Sequence, residues 1–468
     1  MNKVTPKQIL PFLVLAAIAV LACFVKPIAD FADTGKYNSA DVAWMIVATA
    51  LVFLMTPGLA FFYGGMVHRK NVISTMIKSM VAAGIVSVLW IVVGYSLCFG
   101  NDVGGFIGNP MTHLFFKGVN SGQPTLQGAS APLSIPLSLF SLFQLMFAII
   151  TPALVVGAVA ERIRFTSFIL FIVLFSVLVY APLAHWSWHP MGFLAKMGAL
   201  DFAGGTVVHI SAGCAALAGV LVLKRRKVHI EHREIPPANI PYVLIGTGLL
   251  WFGWFGFNAG SAGAASPLAV SAFATTNTAA AAAGLSWMFF DVMRGKKPSV
   301  MGFCIGAVVG LVAITPAAGF VAIPQSIFIG VFAAIVSNLA VYIKQKSTKL
   351  DDTLDVFPCH GIGGMVGMLM TGIFATKAVN SAGNDGLFYG NAAFFFTQVK
   401  AMAIAVGYSF GVSYLIFKFI NLVLPMRVSS EDEEIGLDAS QHNEKYLQGT
   451  LLIHNNGKME EKLADEAK

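Results

Sequence analysis

Two stretches of this sequence place a histidine eight residues after an aspartate inside apolar surroundings. The first, ALDFAGGTVVHISAG (199–213), holds Asp201 and His209, and the second, DDTLDVFPCHGIGGMVG (351–367), holds Asp352 and His360. Ionisable side chains are costly to bury in an apolar medium and mark functional sites when they occur there. A histidine can exchange a proton near neutral pH, bind a metal ion or hydrogen-bond a small polar molecule. Which of these it does depends on the elements that position the two pairs.

The composition indicates that those elements lie in a membrane. Of the 468 residues, 56% are hydrophobic and 11% are charged, whereas soluble domains carry roughly 25% charged residues. The basic residues form short clusters between apolar runs, a pattern typical of membrane proteins, so we expect no nucleic-acid partner. The five cysteines form no CxxC pair, which favours neither a disulfide framework nor a zinc site.

Eleven apolar runs are long enough to cross a bilayer, which requires about 20 residues in a helix. They cover 42–63, 72–99, 134–159, 166–186, 203–223, 240–258, 268–293, 300–318, 325–343, 357–375 and 393–421. The sequence therefore predicts an all-α integral membrane protein with eleven transmembrane helices and the lipid bilayer as its solvent.

Another apolar run, 9–25, precedes these spans and follows Lys3 and Lys7. This order is typical of a signal peptide, and a retained twelfth helix is the alternative. We therefore divide the chain into an N-terminal hydrophobic segment (1–34), a transmembrane domain (35–425) and a C-terminal tail (426–468). The tail is too short and too polar to form a core alone.

The charges predict the orientation of the spans. Every second connection is basic, and these connections are 68–70, 161–164, 224–227, 294–297, 344–349 and the segment with Arg427. The intervening connections hold only Lys117, Lys196 and Lys377. Because cytoplasmic loops of membrane proteins carry the excess of positive charge, we expect an outside N-terminus after processing and a cytoplasmic C-terminus.

This orientation places both histidines near the middle of the membrane. Eight helical residues rise roughly 12 Å, and the hydrocarbon core is roughly 30 Å thick. Asp201 opens the fifth span from outside and Asp352 precedes the tenth from inside, so two inverted halves of five helices would bring His209 and His360 to one site. We expect Asp201 to cap its helix. A metal site would need a third ligand, and none is evident, so no metal is expected.

At these residues the chain resembles ammonium transporters of the Amt/Mep/Rh family, of the bacterial Amt type. The resemblance extends from about Asp41 to 436–438 and rests on six motifs in order. They are FFYGG (61–65), ITPALVVGAVAERIRF (150–165), DFAGGTVVHISAG (201–213), GWFGFNAGSAG (253–263), TPAAG (315–319) and DVFPCHGIGGMVG (355–367).

The resemblance implies an inverted five-plus-five repeat of helices followed by one long C-terminal helix. It also implies that the protein is a homotrimer in the inner cell membrane, with a pore in each subunit. The implied residue roles are as follows: Trp188, Phe147 and Ser261 recruit ammonium with support from Asp201, Phe147 and Phe257 form a gate, and His209 and His360 line the pore. Phe143, Gln144, Tyr63 and Thr315 match other lining positions. No cofactor is implied.

One segment departs from the family pattern. After Trp188 the chain continues HPMGFLAK (189–196) where the family has a glycine-rich run. His189 could therefore reshape the outer vestibule. His185 and His189 also have the i, i+4 spacing of a metal pair on a helix, although packing or vestibule roles are favoured.

The sequence thus predicts a channel or transporter that recruits ammonium, deprotonates it and conducts ammonia. The alternative is an ammonium sensor that signals through its cytoplasmic tail. An enzyme is not expected, because no constellation of nucleophile, base and oxyanion donors is evident. Family resemblance also implies a possible cytoplasmic partner, a trimeric signalling protein of the PII type.

Overall fold

The computed structural model describes residues 6–25, 37–119, 126–346, 349–446, 450–455 and 458–463. Within that part of the chain, ten helices are long and apolar enough to cross a membrane. Parts of the predicted N-terminal segment (1–5 and 26–36) and of the tail (447–449, 456–457 and 464–468) lie outside the described residues.

The helices follow the predicted spans closely. They are α1 Pro6–Ala22, α2 Ser39–Met66, α3 72–99, α4 Leu137–Val159, α5 165–188, α6 Gly205–Leu223, α7 Ile240–Gly260, α8 Pro267–Met293, α9 Val300–Ile314, α10 Ile323–Lys346, α11 Phe357–Phe374, α12 Ala392–Val423, α13 Ser430–Ile435 and α14 Leu437–His442. Two short antiparallel hairpins pair Asp102–Val103 with Ile107–Gly108 and Thr450–Asn455 with Lys458–Leu463.

The expected span 300–318 is shorter than predicted. Its helix α9 has 15 residues, Val300–Ile314, and Thr315 to Phe320 form a turn. Pro316 explains the early end, because it has no N–H to continue the helical hydrogen bonds. The count of eleven transmembrane helices remains a prediction, while the all-helical membrane fold is confirmed.

Four spans contain a π-helical turn, and two of these turns carry the histidines. The turns are Trp90–Gly94, Ser176–Tyr180, Gly205–Ile210 and Phe357–Ile362. Such turns are rare and frequently occur at functional sites. The spacing of eight residues predicts regular helix from each aspartate to its histidine. In the structure residues 201–204 are not helical, so His209 lies only four residues beyond the first helical residue.

The two halves of the membrane domain meet through equivalent helices. Helix α2, the first span, packs along α7, the sixth, and α6, the fifth, packs along the start of α11, the tenth. At the second contact a Cβ on Gly213 would overlap the backbone of Gly361. The two helices can approach this closely because both positions are glycine. The approach brings together the helix turns that carry the histidines.

The basic connections gather at one end of the helices, which we call the basic face. There the Glu161 carboxylate accepts hydrogen bonds from His68 N (2.7 Å) and from Arg226 Nη1 (2.6 Å). The Arg226 guanidinium also binds both carboxylate oxygens of Asp351, at 2.7 and 2.9 Å. Beside this Arg226 guanidinium, the pKa of the Asp351 carboxyl is held well below its usual range, although burial alone would raise it.

The first part of the tail packs on the basic face. The Asp438 carboxylate accepts hydrogen bonds from Ile73 N (3.2 Å) and Ser74 N (2.7 Å) at the start of α3, and Leu437 N donates to Asn71 Oδ1 at 2.8 Å. Nearby, the Glu433 carboxylate accepts from Arg427 Nη2 at 2.6 Å. The tail segment 427–446 therefore gains its order from the membrane domain.

The contact between α6 and α11 yields a stability test. We expect Gly213→Ala to lower the stability of the purified protein by about 1–3 kcal/mol, because the added methyl group forces two packed helices apart. Thermal unfolding in detergent measures this. Gly84→Ala is the matched control, because no atom lies within 4 Å of the added Cβ. Equal melting temperatures for the two variants would contradict the close contact.

Candidate functional site

Asp201 caps the π-helical turn that carries His209, as the sequence predicts. Its carboxylate accepts hydrogen bonds from Gly204 N (2.9 Å), Gly205 N (2.5 Å) and Thr206 N (2.8 Å), and from the Thr206 hydroxyl. Gly204 has φ +111°, a conformation that a side chain would strain. A carboxylate with this many donors is fully occupied and points into the helix start, where the helix dipole also favours negative charge.

Asp352 likewise caps a helix start, at the other end of the membrane domain. Its carboxylate accepts hydrogen bonds from Val356 N (3.0 Å) and Phe357 N (2.7 Å), at the start of the π-helical turn with His360. Pro358 lies in the first turn, where a missing N–H costs nothing. Each histidine thus lies near the start of a helix whose N-terminus is capped by a buried aspartate.

The two histidines hydrogen-bond each other. Nδ1 of His209 lies 3.3 Å from Nδ1 of His360, and the ring centroids are 5.4 Å apart with an interplanar angle of 26°. One proton between two Nδ1 atoms requires one ring to donate and the other to accept. The donor ring, if neutral, has a bare Nε2, and the acceptor ring carries its proton on Nε2.

The pair lines a small apolar cavity. The cavity volume of about 10 Å³ is close to the minimum for one water molecule. Its walls are Met55, Leu59, Phe62, Ile150, Leu154, Val208, His209, Leu250, Trp254, Phe257, Val308 and His360. Nε2 of His209 is buried without a hydrogen-bond partner. Such a buried polar atom is costly unless a passing molecule pairs with it.

Stacked aromatic rings separate this cavity from the face opposite the basic one. The ring centroids of Phe147 and Phe257 are 4.2 Å apart. Trp188 meets Phe147 edge to face at 5.7 Å, and its indole N–H donates to Asp201 O at 3.0 Å. The three aromatic residues singled out in the sequence therefore form one continuous cluster, and Asp201 orients its outermost member.

Ser261 joins this cluster through Phe257. Its hydroxyl donates a hydrogen bond to Phe257 O at 2.8 Å, which leaves the lone pairs of the oxygen as acceptors. The residue is half-buried, as is Trp188. Phe143 packs on Phe147 at 5.0 Å.

Trp254 is a site residue that the sequence patterns did not predict. Its ring stacks on His209 at 5.3 Å and 17°, and its indole N–H donates to Thr315 Oγ1 at 2.9 Å. The motif GWFGFNAGSAG contains this tryptophan, so the signal was present, but its spacing alone does not tell which aromatic ring meets the histidine. Tyr63, expected to line the path, donates to Leu154 O at 3.0 Å.

The structure does not support a metal role for His185 and His189. The rings stack 4.4 Å apart, and the nitrogens of His185 are taken by Cys98 O and by Asp102 Oδ1, each at 2.9 Å. Among the described residues no group of three or more metal-ligating side chains is assembled. His189 is fully buried, so it does not line an open vestibule.

Comparisons with known proteins show the family of this chain. Residues 43–446 match the model of the Ammonium Transporter Family. An ammonium transporter of Bacillus subtilis is 46% identical over 413 residues, covering 88% of this chain and 99% of the relative.

Two solved structures are also similar to this chain. The crystal structure of Candida albicans Mep2 superimposes with a TM-score of 0.79 at 36% identity, over 85% of this chain and 88% of Mep2. A structure described as a sensor Amt protein has a TM-score of 0.77 at 30% identity, over 86% and 98% of the two chains.

The cap on the His209 helix provides a second test. Asp201→Ala leaves three backbone N–H groups without their acceptor, and each buried orphan donor costs about 1–3 kcal/mol. We therefore expect a markedly lower melting temperature. Asp385→Ala serves as control, since Asp385 accepts from Thr376 Oγ1 and Lys377 N nearer the surface, and a smaller loss is expected there. The interpretation fails if both variants melt alike.

Proposed function

Because the chain belongs to the ammonium transporter family, we propose that it conducts ammonium nitrogen across the membrane through the cavity that holds His209 and His360. The observation that carries this proposal is the hydrogen-bonded histidine pair inside an apolar cavity beneath stacked aromatic rings. The fold does not need two imidazoles in an apolar cavity, since apolar side chains would fill the same space without the free-energy cost of burying polar groups.

Recruitment of the cation takes place above Phe147. The face of Trp188 and the ring of Phe147 attract a desolvated cation by about 2 kcal/mol, and the Ser261 hydroxyl accepts one of its hydrogen bonds. Ammonium donates four hydrogen bonds and potassium none, so an acceptor beside aromatic rings favours ammonium. The Asp201 carboxylate is occupied by helix N–H groups, and therefore acts through its charge and through Trp188 rather than by contact.

Deprotonation follows from the apolar walls of the path. Desolvation disfavours the charged form and lowers the pKa of an ammonium ion, so the ion gives a proton to water on the Trp188 side, where Trp188 and Ser261 are half-exposed, before the nitrogen passes Phe147 and Phe257. Neutral ammonia is both donor and acceptor. The histidine pair offers one Nε2–H and one bare Nε2, and so matches ammonia in both roles as it passes.

The assembly and placement follow the family. The chain forms a homotrimer in the inner cell membrane, with the basic face cytoplasmic and the recruitment site outside. The orientation is supported by the gathering of positive charge at one face, which membrane proteins keep in the cytoplasm. The segment 1–34 acts as a signal peptide. The chain works as a transporter and not as an enzyme, in keeping with the names of its relatives.

The second candidate is an ammonium sensor that signals through its tail. A structural neighbour described as a sensor Amt protein favours it. Against it, the described tail residues 427–446 form two helices of six residues each and pack on the membrane domain, so this segment is held against the spans and is not a separate unit.

Transport itself tests the proposal. In liposomes, labelled methylammonium and ammonium should enter through the wild-type protein, and potassium should not. His209→Ala and His360→Ala should each reduce ammonium uptake at least about tenfold, equal to about 1.4 kcal/mol, because each removes one of the two polar partners of ammonia and leaves the remaining imidazole without its hydrogen bond.

His113→Ala is the control, because His113 binds Lys117 O in a loop at 3.0 Å and does not contact the cavity. Its uptake should match that of the wild type. Absent uptake by folded wild-type protein would favour the sensor. Unchanged uptake by both cavity variants would remove the histidines from the mechanism.

A regulatory partner of the PII type is expected at the basic face. In a pull-down with purified PII protein, the full chain should retain the partner and a variant that ends at residue 426 should retain less, because the tail forms part of this face. Equal retention would exclude the tail from the interface, and retention by neither would exclude the partner.

A further inference from the structure

A lysine ammonium group lies at the helix start that carries His360. Nζ of Lys344, near the end of α10, donates to Asp352 O at 2.7 Å and lies 2.7 Å from Asp355 Oδ1. The side chains of Lys344 and Asp355 are only 15% and 19% exposed, and Asp352 is buried. Asp355 has φ +58°, a left-handed conformation that few side chains other than Asn and Asp adopt.

This group lies between the histidine cavity and the basic face. His360 follows Asp355 by five residues, a helical rise of roughly 7 Å. Val356, the next residue, packs with Tyr63 around Gly157, and the Tyr63 hydroxyl donates to the carbonyl of Leu154, a wall residue of the cavity. The Lys344 ammonium is therefore bound to the segment that opens the helix of His360, on the basic-face side of the cavity.

The equivalent position at the opposite face has no fixed charge. There the neutral indole of Trp188 donates to Asp201 O, where Lys344 donates to Asp352 O. In both places the aspartate carboxylate binds the N–H groups of a helix start. The inverted halves thus share an aspartate cap and a donor to its carbonyl, but only the basic-face half supplies a cationic donor.

We propose that Lys344 is a built-in ammonium group that closes the basic-face mouth of the pore to free cations. It occupies the carboxylate and carbonyl oxygens that would otherwise bind an ammonium ion, so that high-affinity recruitment occurs only at the Trp188 side. This inference rests on the proposed transport function, and it names the residue that makes the two ends of the pore chemically different.

The surrounding charges leave Lys344 as the close partner of these oxygens. Arg226 is engaged by Asp351 and Glu161, and the Arg162 guanidinium donates to Asp351 O (2.6 Å) and to Thr353 Oγ1 (2.8 Å). Burial raises the pKa of the Asp355 carboxyl, and the positive charge of Lys344 opposes that rise. Without Lys344, the Asp355 carboxyl and the Asp352 carbonyl would lose their cationic donor, and their oxygens would be open to an ammonium ion.

Oriented vesicles test the proposal. We would measure labelled methylammonium uptake in right-side-out and inside-out membrane vesicles over a range of ammonium concentrations. Lys344→Gln should lower the half-saturating concentration at the basic face at least about tenfold, equal to about 1.4 kcal/mol, with little change at the opposite face. A passive pore has the same ratio of maximal rate to half-saturation in both directions, so the maximal rate from the basic face should fall in parallel.

Three further variants keep the result interpretable. Lys344→Arg retains the charge and should behave as wild type at both faces. Lys344→Gln with Asp355→Asn removes both partners and should lose the gained affinity. Lys346→Gln is the matched control, since Lys346 lies over the Tyr342 ring at 4.4 Å and away from the Asp355 carboxylate.

An unchanged basic-face half-saturation in folded Lys344→Gln protein would overturn this role of Lys344 while leaving the transport function intact. If Lys344→Gln does not fold, Lys344→Met takes its place: a lower basic-face half-saturation than that of Lys346→Gln supports the proposal and an equal one overturns it. Lack of uptake by the wild type in either vesicle would contradict the transport function itself.

Discussion

Two imidazoles hydrogen-bond at 3.3 Å inside an apolar cavity, and most of the surrounding structure is needed to hold them there. A polar ring buried without a partner is costly, so each histidine satisfies one nitrogen with the other. This requires two helices from opposite halves of the chain to approach at Gly213 and Gly361, where neither carries a side chain. Nε2 of His209 remains buried without a partner, and this unsatisfied atom is what favours the proposed path over a simple void in the core.

The helix starts solve a second physical problem. A helix that begins inside a membrane exposes its first N–H groups where no water can bind them. Asp201 and Asp352 accept these hydrogen bonds, and the π-helical turns that follow rotate the histidines toward each other. The carboxylates are therefore part of the scaffold that holds the two histidines.

The two ends of the path differ in the group that meets the aspartate. An indole at one end and an ammonium at the other donate to equivalent carbonyl oxygens. The aromatic cluster of Trp188, Phe147 and Phe257 has a wide attractive surface for a cation, whereas Lys344 presents a cation of its own. Two inverted halves with the same backbone arrangement can thus have different side chains at the two ends of the pore. Those side chains are not constrained by the packing between the halves.

The sequence by itself determined the membrane class, the helix bounds to within about three residues at most ends, and the two aspartate–histidine pairs. These follow from hydropathy, charge alternation and local spacing, which are properties of neighbouring residues. Only the tertiary structure decided that the rings meet through Nδ1, that Trp254 stacks on His209, that α9 ends at Ile314 and that Lys344 lies beside Asp355. Each of these depends on residues far apart in the chain or on backbone turns that periodicity does not encode, so their geometry exists only after the helices have packed.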